Sequence, residues 1–361
     1  MASSGVLAVR GRFLIFNLQI VRAAAAIGVV IYHIDYHLRP DLHTDFLGVA
    51  TFFVLSGFIM CQITRDDAGG FLLNRIVRIV PLYWLCTFAR IIILGGVNVF
   101  SSSFWVDQSG AILKSLFFLP SEEVPLVAVG WTLNFEMYFY LIFAASLMIS
   151  RRFAPILAFF VIAAVMAIDV YVPGIFVVHY YAHGYILFFL EGIGLFYLWR
   201  FTEIKLPNAA VVLICVAILF CAYAYQLVTA DLGPWAERIP MLIVGSALFL
   251  TTAGLDLNLR PLVLLGDASY AIYLIHTLLM GSIRRLAPQV LELGRTDVRW
   301  FVLLLVLFIL AGLALHLVVE KPMLRFLRGR LAYRKAPGKS TAAHVMATIG
   351  PSPVPSQRSR S

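Results

Sequence analysis

The chain has 361 residues, of which 61% are hydrophobic, 14% aromatic and only 13% charged, with a mean hydropathy of +0.91. A soluble domain carries about 25% charged residues, so this composition excludes an ordinary cytosolic globule, and equally a disordered, collagenous or disulfide-rich secreted chain. The surplus apolar surface must face lipid, and the composition predicts an all-α polytopic membrane protein. The net charge of +9 reads as membrane topology rather than as a nucleic-acid partner.

In chain order, a window of about 20 apolar residues per helix gives ten expected transmembrane helices in one bundle. They run near 13–36, 46–63, 79–99, 126–149, 153–172, 183–199, 209–228, 237–255, 262–280 and 299–320. The stretch 111–119 is too short to span and reads as re-entrant or interfacial. Residues 1–12 form an N-terminal segment, 13–325 the membrane domain, and 326–361 a basic, Pro- and Ser-containing tail. That tail has the composition of a disordered segment lying near anionic headgroups. Ten spans put both termini on one side. Termini-inside places nineteen of the 28 Lys and Arg in the cytoplasm and seven outside, with Arg22 and Arg90 in spans, which is the orientation the positive-inside rule favours. Arg284, Arg285, Arg295 and Arg299 violate that bias and point to an anionic partner on the outer face. The cysteines Cys61, Cys86, Cys215 and Cys221 all fall in apolar segments without metal-ligand spacing, so they read as small buried hydrophobes and no metal is expected.

Ionisable groups at membrane depth cost about 2.5–3.5 kcal/mol each and need a partner or a task. Arg22, Arg90, Glu136 and Glu191 fall within spans, two cations and two anions that could form buried ion pairs. Arg22 and His33 are eleven residues apart, about 20° from three whole helical turns. Both therefore share a face, at an axial separation of about 16 Å. The intervening Ala and Gly residues leave room for a neighbouring helix or a thin ligand. His33 and His37 have metal-ligand spacing, but Asp35 points to another face. Ser56 lacks the Gly-x-Ser-x-Gly elbow of serine hydrolases and reads as a small packing residue. Arg75 and Arg78, just before Pro81, read as positive-inside anchors or as a phosphate clamp.

At these residues the sequence resembles the membrane-bound acyltransferase-3 family, and within it the exopolysaccharide-production O-acetyltransferases of the ExoZ type. The match is carried by six segments in order: Arg22 and His33 as an Arg-x10-His motif; Phe52 to Phe58; Arg75-x-x-Arg78-x-x-Pro81; Trp131-Thr132-Leu133 with Glu136, Phe139 and Tyr140; Ser269 to His276; and Glu320-Lys321-Pro322. The resemblance implies a ten-helix membrane acyltransferase domain over 13–325 in a bacterial inner membrane. It would move an acetyl or other small acyl group from cytoplasmic acyl-coenzyme A to a hydroxyl of an extracytoplasmic or lipid-linked sugar. Some members add a C-terminal hydrolase-like domain. The tail here is too short for one, which leaves the chemistry to the bundle.

On that resemblance, Arg22, Arg75 and Arg78 would hold the phosphates of acetyl-coenzyme A, and the pantetheine arm would run along the Ala/Gly face towards His33. His33 would act as general base, in the neutral form that a pKa near 6.5 supplies at pH 7; an acyl-histidine route is the alternative. Glu136 would orient Arg22 through an ion pair or carry a proton. Tyr270 and His276 would line the acceptor site, although packing accounts for His276 equally well. The partners implied are acyl-coenzyme A, a carbohydrate acceptor, membrane lipids and the polysaccharide synthesis and export machinery. Ten spans and mid-membrane charges are also what a flippase for lipid-linked sugars needs, and a non-catalytic export component is the third reading.

Overall fold

The computed structural model describes residues 2–38, 48–62, 68–201 and 260–335. The expected spans at 209–228 and 237–255, and the chain beyond Lys335, lie outside the described residues. All regular structure among the described residues is helical: α1 (Ala2–Leu38), α2 (Gly48–Gln62), α3 (Ala68–Gly95), α4 (Ser102–Leu116), α5 (Gly130–Ile149), α6 (Ala154–Tyr171), α7 (Phe176–Tyr181), α8 (Ile186–Phe201), α9 (Arg260–Asp267), α10 (Ser269–Leu286), α11 (Pro288–Thr296), α12 (Val298–Leu315) and α13 (Lys321–Lys335). A π turn, His316–Glu320, joins α12 to α13. Pro322 has no N–H to give to the preceding turn, and a π bulge is one way a helix absorbs that loss.

Among the described residues, five helical stretches are long and apolar enough to cross a membrane: Asn17–Leu38, Ala68–Ile93, Gly130–Ile149, Ala154–Tyr171 and Val298–Leu331. The described residues thus do not confirm about ten spans. Of the shorter apolar helices, 15 residues of α2 and 16 of α8 are described, and the residues adjoining Gly48, Gln62 and Phe201 lie outside the described ones. The expected span at 262–280 is two helices, α9 and α10, meeting at a bend of 61°. The break falls beside Gly266 and Asp267, both poor helix formers. Counting that bent pair as one span gives six. The stretch 111–119 supplies the end of α4 and then leaves the helix, with Phe118 at φ 55°.

α3 begins eleven residues before the span expected from position 79, so Arg75 and Arg78 lie within the helix, as does Pro81. Proline forfeits one helical hydrogen bond, and packed neighbours at membrane depth tolerate the loss. The interior is strongly aromatic. Phe189 of α8 stacks on Phe53 of α2 at 4.5 Å and on Phe139 of α5 at 4.4 Å, joining three helices. α2 and α8 cross through Gly57 and Gly192. A Cβ at Gly192 would stand 2.1 Å from the Val54 carbonyl oxygen, so only glycine permits that approach.

Candidate functional site

α1, α2, α3, α5 and α10 enclose a cavity of about 740 Å³ that is lined by Arg22, Arg75, Arg78, Glu136, Tyr140 and Tyr270, among others. The candidate site residues Arg22, Arg75, Arg78, Glu136 and Tyr270 thus converge from four helices. Glu136 accepts hydrogen bonds from Ser56 at 3.2 Å and from the Tyr140 hydroxyl. The expected ion pair between Arg22 and Glu136 is not formed: among the described residues no carboxylate lies within 4.0 Å of Arg22. Ser56 and Tyr140 hold the carboxylate instead. The Arg75 guanidinium lies near the rings of Phe71 and Tyr140, at 5.8 and 5.9 Å from their centres. Its Nε is buried without a hydrogen-bond partner. Three guanidiniums around one carboxylate leave the cavity with a positive excess. A second cavity, of about 820 Å³, shares Arg78 and adds Lys321, Arg325 and Arg328 together with the carboxylates of Asp267 and Glu320. Glu320 is itself engaged by His316, at 2.7 Å.

Tyr270 donates its hydroxyl proton to the Ile79 carbonyl at 2.8 Å, which fixes it in the wall of the arginine-lined cavity rather than beside His33. Tyr273 is one turn further along α10. Its hydroxyl lies 2.8 Å from Thr132 Oγ1 and 3.4 Å from the Val129 carbonyl, and both Tyr273 and Thr132 line the same cavity. Its ring lies 5.9 Å from that of His276. Tyr273 and Thr132 thus form a hydrogen-bonded layer between the arginines and the histidines.

His276 is 0% exposed. Its Nδ1 lies 3.1 Å from the Ile272 carbonyl and its Nε2 lies 3.3 Å from His33 Nδ1, which also lies 2.9 Å from the Val29 carbonyl. Carbonyl oxygens only accept, so the Nδ1 of each ring is the donor. His276 Nε2 is then a lone pair that receives the His33 Nδ1–H, and His33 Nε2 keeps its own lone pair. His33 lines a further cavity of about 1020 Å³, together with His37, Arg90, Arg284 and Arg285. The Ala-rich face between Arg22 and His33 is closed: Ala26, Val29 and Val30 are each at most 2% exposed. Small residues there have let neighbouring helices in and left no open groove.

Arg90 and Glu191 do not pair either. Arg90 sits in the His33 cavity beside other arginines, and Glu191 belongs to α8. Sequence patterns assign Ser56 and Tyr273 no chemical role, because their places in the helices carry no sign of one. Tyr140 is visible in the sequence only as part of a motif.

The helices bearing these groups match the family model described as an acyltransferase domain over residues 15–319. The chain belongs to the acyltransferase-3 family. It is 34% identical over 298 residues to the exopolysaccharide production protein ExoZ of Rhizobium meliloti, covering 78% of this chain and 90% of ExoZ. It is 27% identical over 354 residues to the putative peptidoglycan O-acetyltransferase YrhL of Bacillus subtilis. It is 25% identical over 351 residues to the peptidoglycan O-acetyltransferase OatA of Listeria monocytogenes. Each of these two alignments covers 84% of this chain, which spans about half the relative's length, 54% in each case. No solved structure is significantly similar to it. The family match and the apolar helices together describe a membrane acyltransferase.

Proposed function

We propose that this acyltransferase moves an acetyl or other small acyl group from cytoplasmic acyl-coenzyme A to a hydroxyl of an extracytoplasmic or lipid-linked sugar, in exopolysaccharide modification. The supporting observation is the pairing, along one set of helices, of an arginine-rich cavity with a histidine whose Nε2 lone pair is available. Arg22, Arg75 and Arg78 supply charge-assisted donors suited to phosphates, and Arg78 connects them to the basic cavity beside Lys321. Coenzyme A has the matching shape, an anionic end and a thin arm, and in this reading the arm displaces the Tyr273–Thr132 layer. Such a ligand is held from the inner side of a bundle of about ten helices with both termini cytoplasmic.

In the transfer step His33 Nε2 takes the proton of the sugar hydroxyl, and that oxygen bonds to the thioester carbonyl carbon. The carbon–sulfur bond then breaks, the sulfur leaves with its electron pair, and the His33 proton passes to it, giving coenzyme A thiol and the sugar ester. His276 serves as a positioning residue that fixes the His33 tautomer, and Glu136 with Tyr140 balances part of the arginine charge. The test is reconstitution of the full chain in vesicles with labelled acetyl-coenzyme A on one side, alongside mass spectrometry of surface glycans from cells with and without the protein. Loss of glycan acyl groups in the deletion, restored by the wild type and not by His33→Ala, is expected. Unaltered acylation with a loss of sugar translocation would instead make it a transporter.

A further inference from the structure

The His33 cavity is basic in a way that the acyl-transfer chemistry does not require. Thr277, Met280, Gly281 and Arg284 recur at helical spacing, so one face of α10 lines it, with Arg285 alongside and Arg90 of α3 opposite. Arg90 is seated against Gly281, where a Cβ would stand 2.4 Å from its Nη1; any larger residue would push the guanidinium away. Arg285 donates to the Ile93 carbonyl at 3.0 Å, which ties the end of α10 to the end of α3. No acidic residue lines this cavity among the described residues, and none of them forms an ion pair with Arg90 or Arg284. Cations elsewhere at this end of the bundle do have carboxylates: Arg299 is 3.0 Å from Asp297 and Lys114 is 3.8 Å from Glu123. Half-buried Arg90 and exposed Arg284 line one cavity; their like charges repel, and a bound anion removes that repulsion.

The geometry points to an anion-binding subsite for the acyl acceptor, formed by Arg90 and Arg284 with Arg285 in support, so that the acceptor is an acidic glycan or glycolipid rather than a neutral one. His276, level with His33, and Arg284 are eight residues apart on α10, about 12 Å along the axis. The recognised charge therefore sits a sugar unit or more from the hydroxyl that is acylated. A sugar carboxylate and the diphosphate of a lipid carrier share the chemistry the guanidiniums bind. The inference rests on the acyl-transfer reading for the purpose of the subsite, while its test requires no turnover.

Binding to the purified full chain in nanodiscs is measured for three probes: trigalacturonate, its neutral methyl ester, and farnesyl diphosphate. At least one acid is expected to bind about tenfold or more tightly than the ester. It should lose about tenfold or more in R90Q/R284Q and little in R75Q/R78Q. The acid that does so identifies the source of the charge, sugar or carrier lipid. R90K/R284K, which keeps both charges, should retain most of the affinity, and unchanged coenzyme A binding by R90Q/R284Q reports that the variant is folded. Equal binding of acid and ester, an R90Q/R284Q variant that binds like the wild type, or a loss confined to R75Q/R78Q overturns the subsite. If the wild type binds acids in this way yet transfers no acyl group, the acyl-transfer reading fails and the subsite stands. Transfer accompanied by equal binding of acid and ester has the opposite meaning.

Discussion

One nitrogen of His33 is committed to a neighbouring ring and a carbonyl, and the other is left with a lone pair. That division makes two substitutions informative. His33→Ala should lower kcat for acyl transfer by about 10²–10⁴ while coenzyme A binding and membrane insertion persist, since half-buried His33 leaves no unpaired charge behind. Near-full transfer by the well-inserted variant would remove the base from His33. His276→Leu keeps the volume but withdraws one of the two acceptors of His33 Nδ1–H, leaving the Val29 carbonyl. It should lower kcat with little change in either KM, and His276→Gln, whose amide oxygen can accept, should recover much of the loss; equal rates in the two variants would reduce His276 to a packing residue. The Arg22–His33 relation is legible in the sequence because helical periodicity alone carries it. The His33–His276 contact joins residues 243 positions apart, and no local pattern encodes such a pairing.

Among the elements, α3 shows what pattern reading misses. A proline usually marks a helix boundary, yet α3 runs through Pro81 and carries Arg75 and Arg78 into the cavity. Replacing both by Gln should weaken acyl-coenzyme A binding by about 1.5–3 kcal/mol for each charge-assisted hydrogen bond removed, read as donor Kd at unchanged acceptor affinity. An unchanged donor Kd would make them topological anchors. The expected Arg22–Glu136 and Arg90–Glu191 pairs fail for a related reason. Complementary charges at one depth say nothing about which helices are neighbours, and hydroxyls from Ser56 and Tyr140 satisfy Glu136 instead. The α2–α8 crossing is a stability element rather than a chemical one. Gly192→Leu would force its side chain into the Val54 carbonyl and should cost about 1–3 kcal/mol, seen as a lower Tm in detergent. An unchanged Tm would show that the two helices can separate freely.

At the scale of the whole molecule, composition alone specifies a helical membrane protein, because lipid leaves the backbone few other ways to satisfy its hydrogen bonds. The number of crossings is less legible, since a hydropathy window treats a bent pair such as α9 and α10 like a continuous helix. Charge placement predicts termini in the cytoplasm, so a C-terminal reporter should be active only there. Activity on the far side of the membrane would reverse the assignment of both cavities. Arg284 and Arg285, which break the expected charge bias, are exposed residues that also line the His33 cavity.

The Tyr273–Thr132 contact, 2.8 Å long, has a consequence for the cell as well as for the substrate. Both residues line the cavity of about 740 Å³, and the Tyr273 ring lies 5.9 Å from that of His276, which contacts His33; opening this wall towards the cavity that His33 lines would open a wire for protons. Each elementary charge that crosses dissipates about 2.3 kcal/mol per 100 mV of membrane potential. The tyrosine is therefore expected to insulate as well as to pack. Tyr273→Ala, which opens the septum, should make vesicles carrying the protein leak protons even when no acyl donor is present.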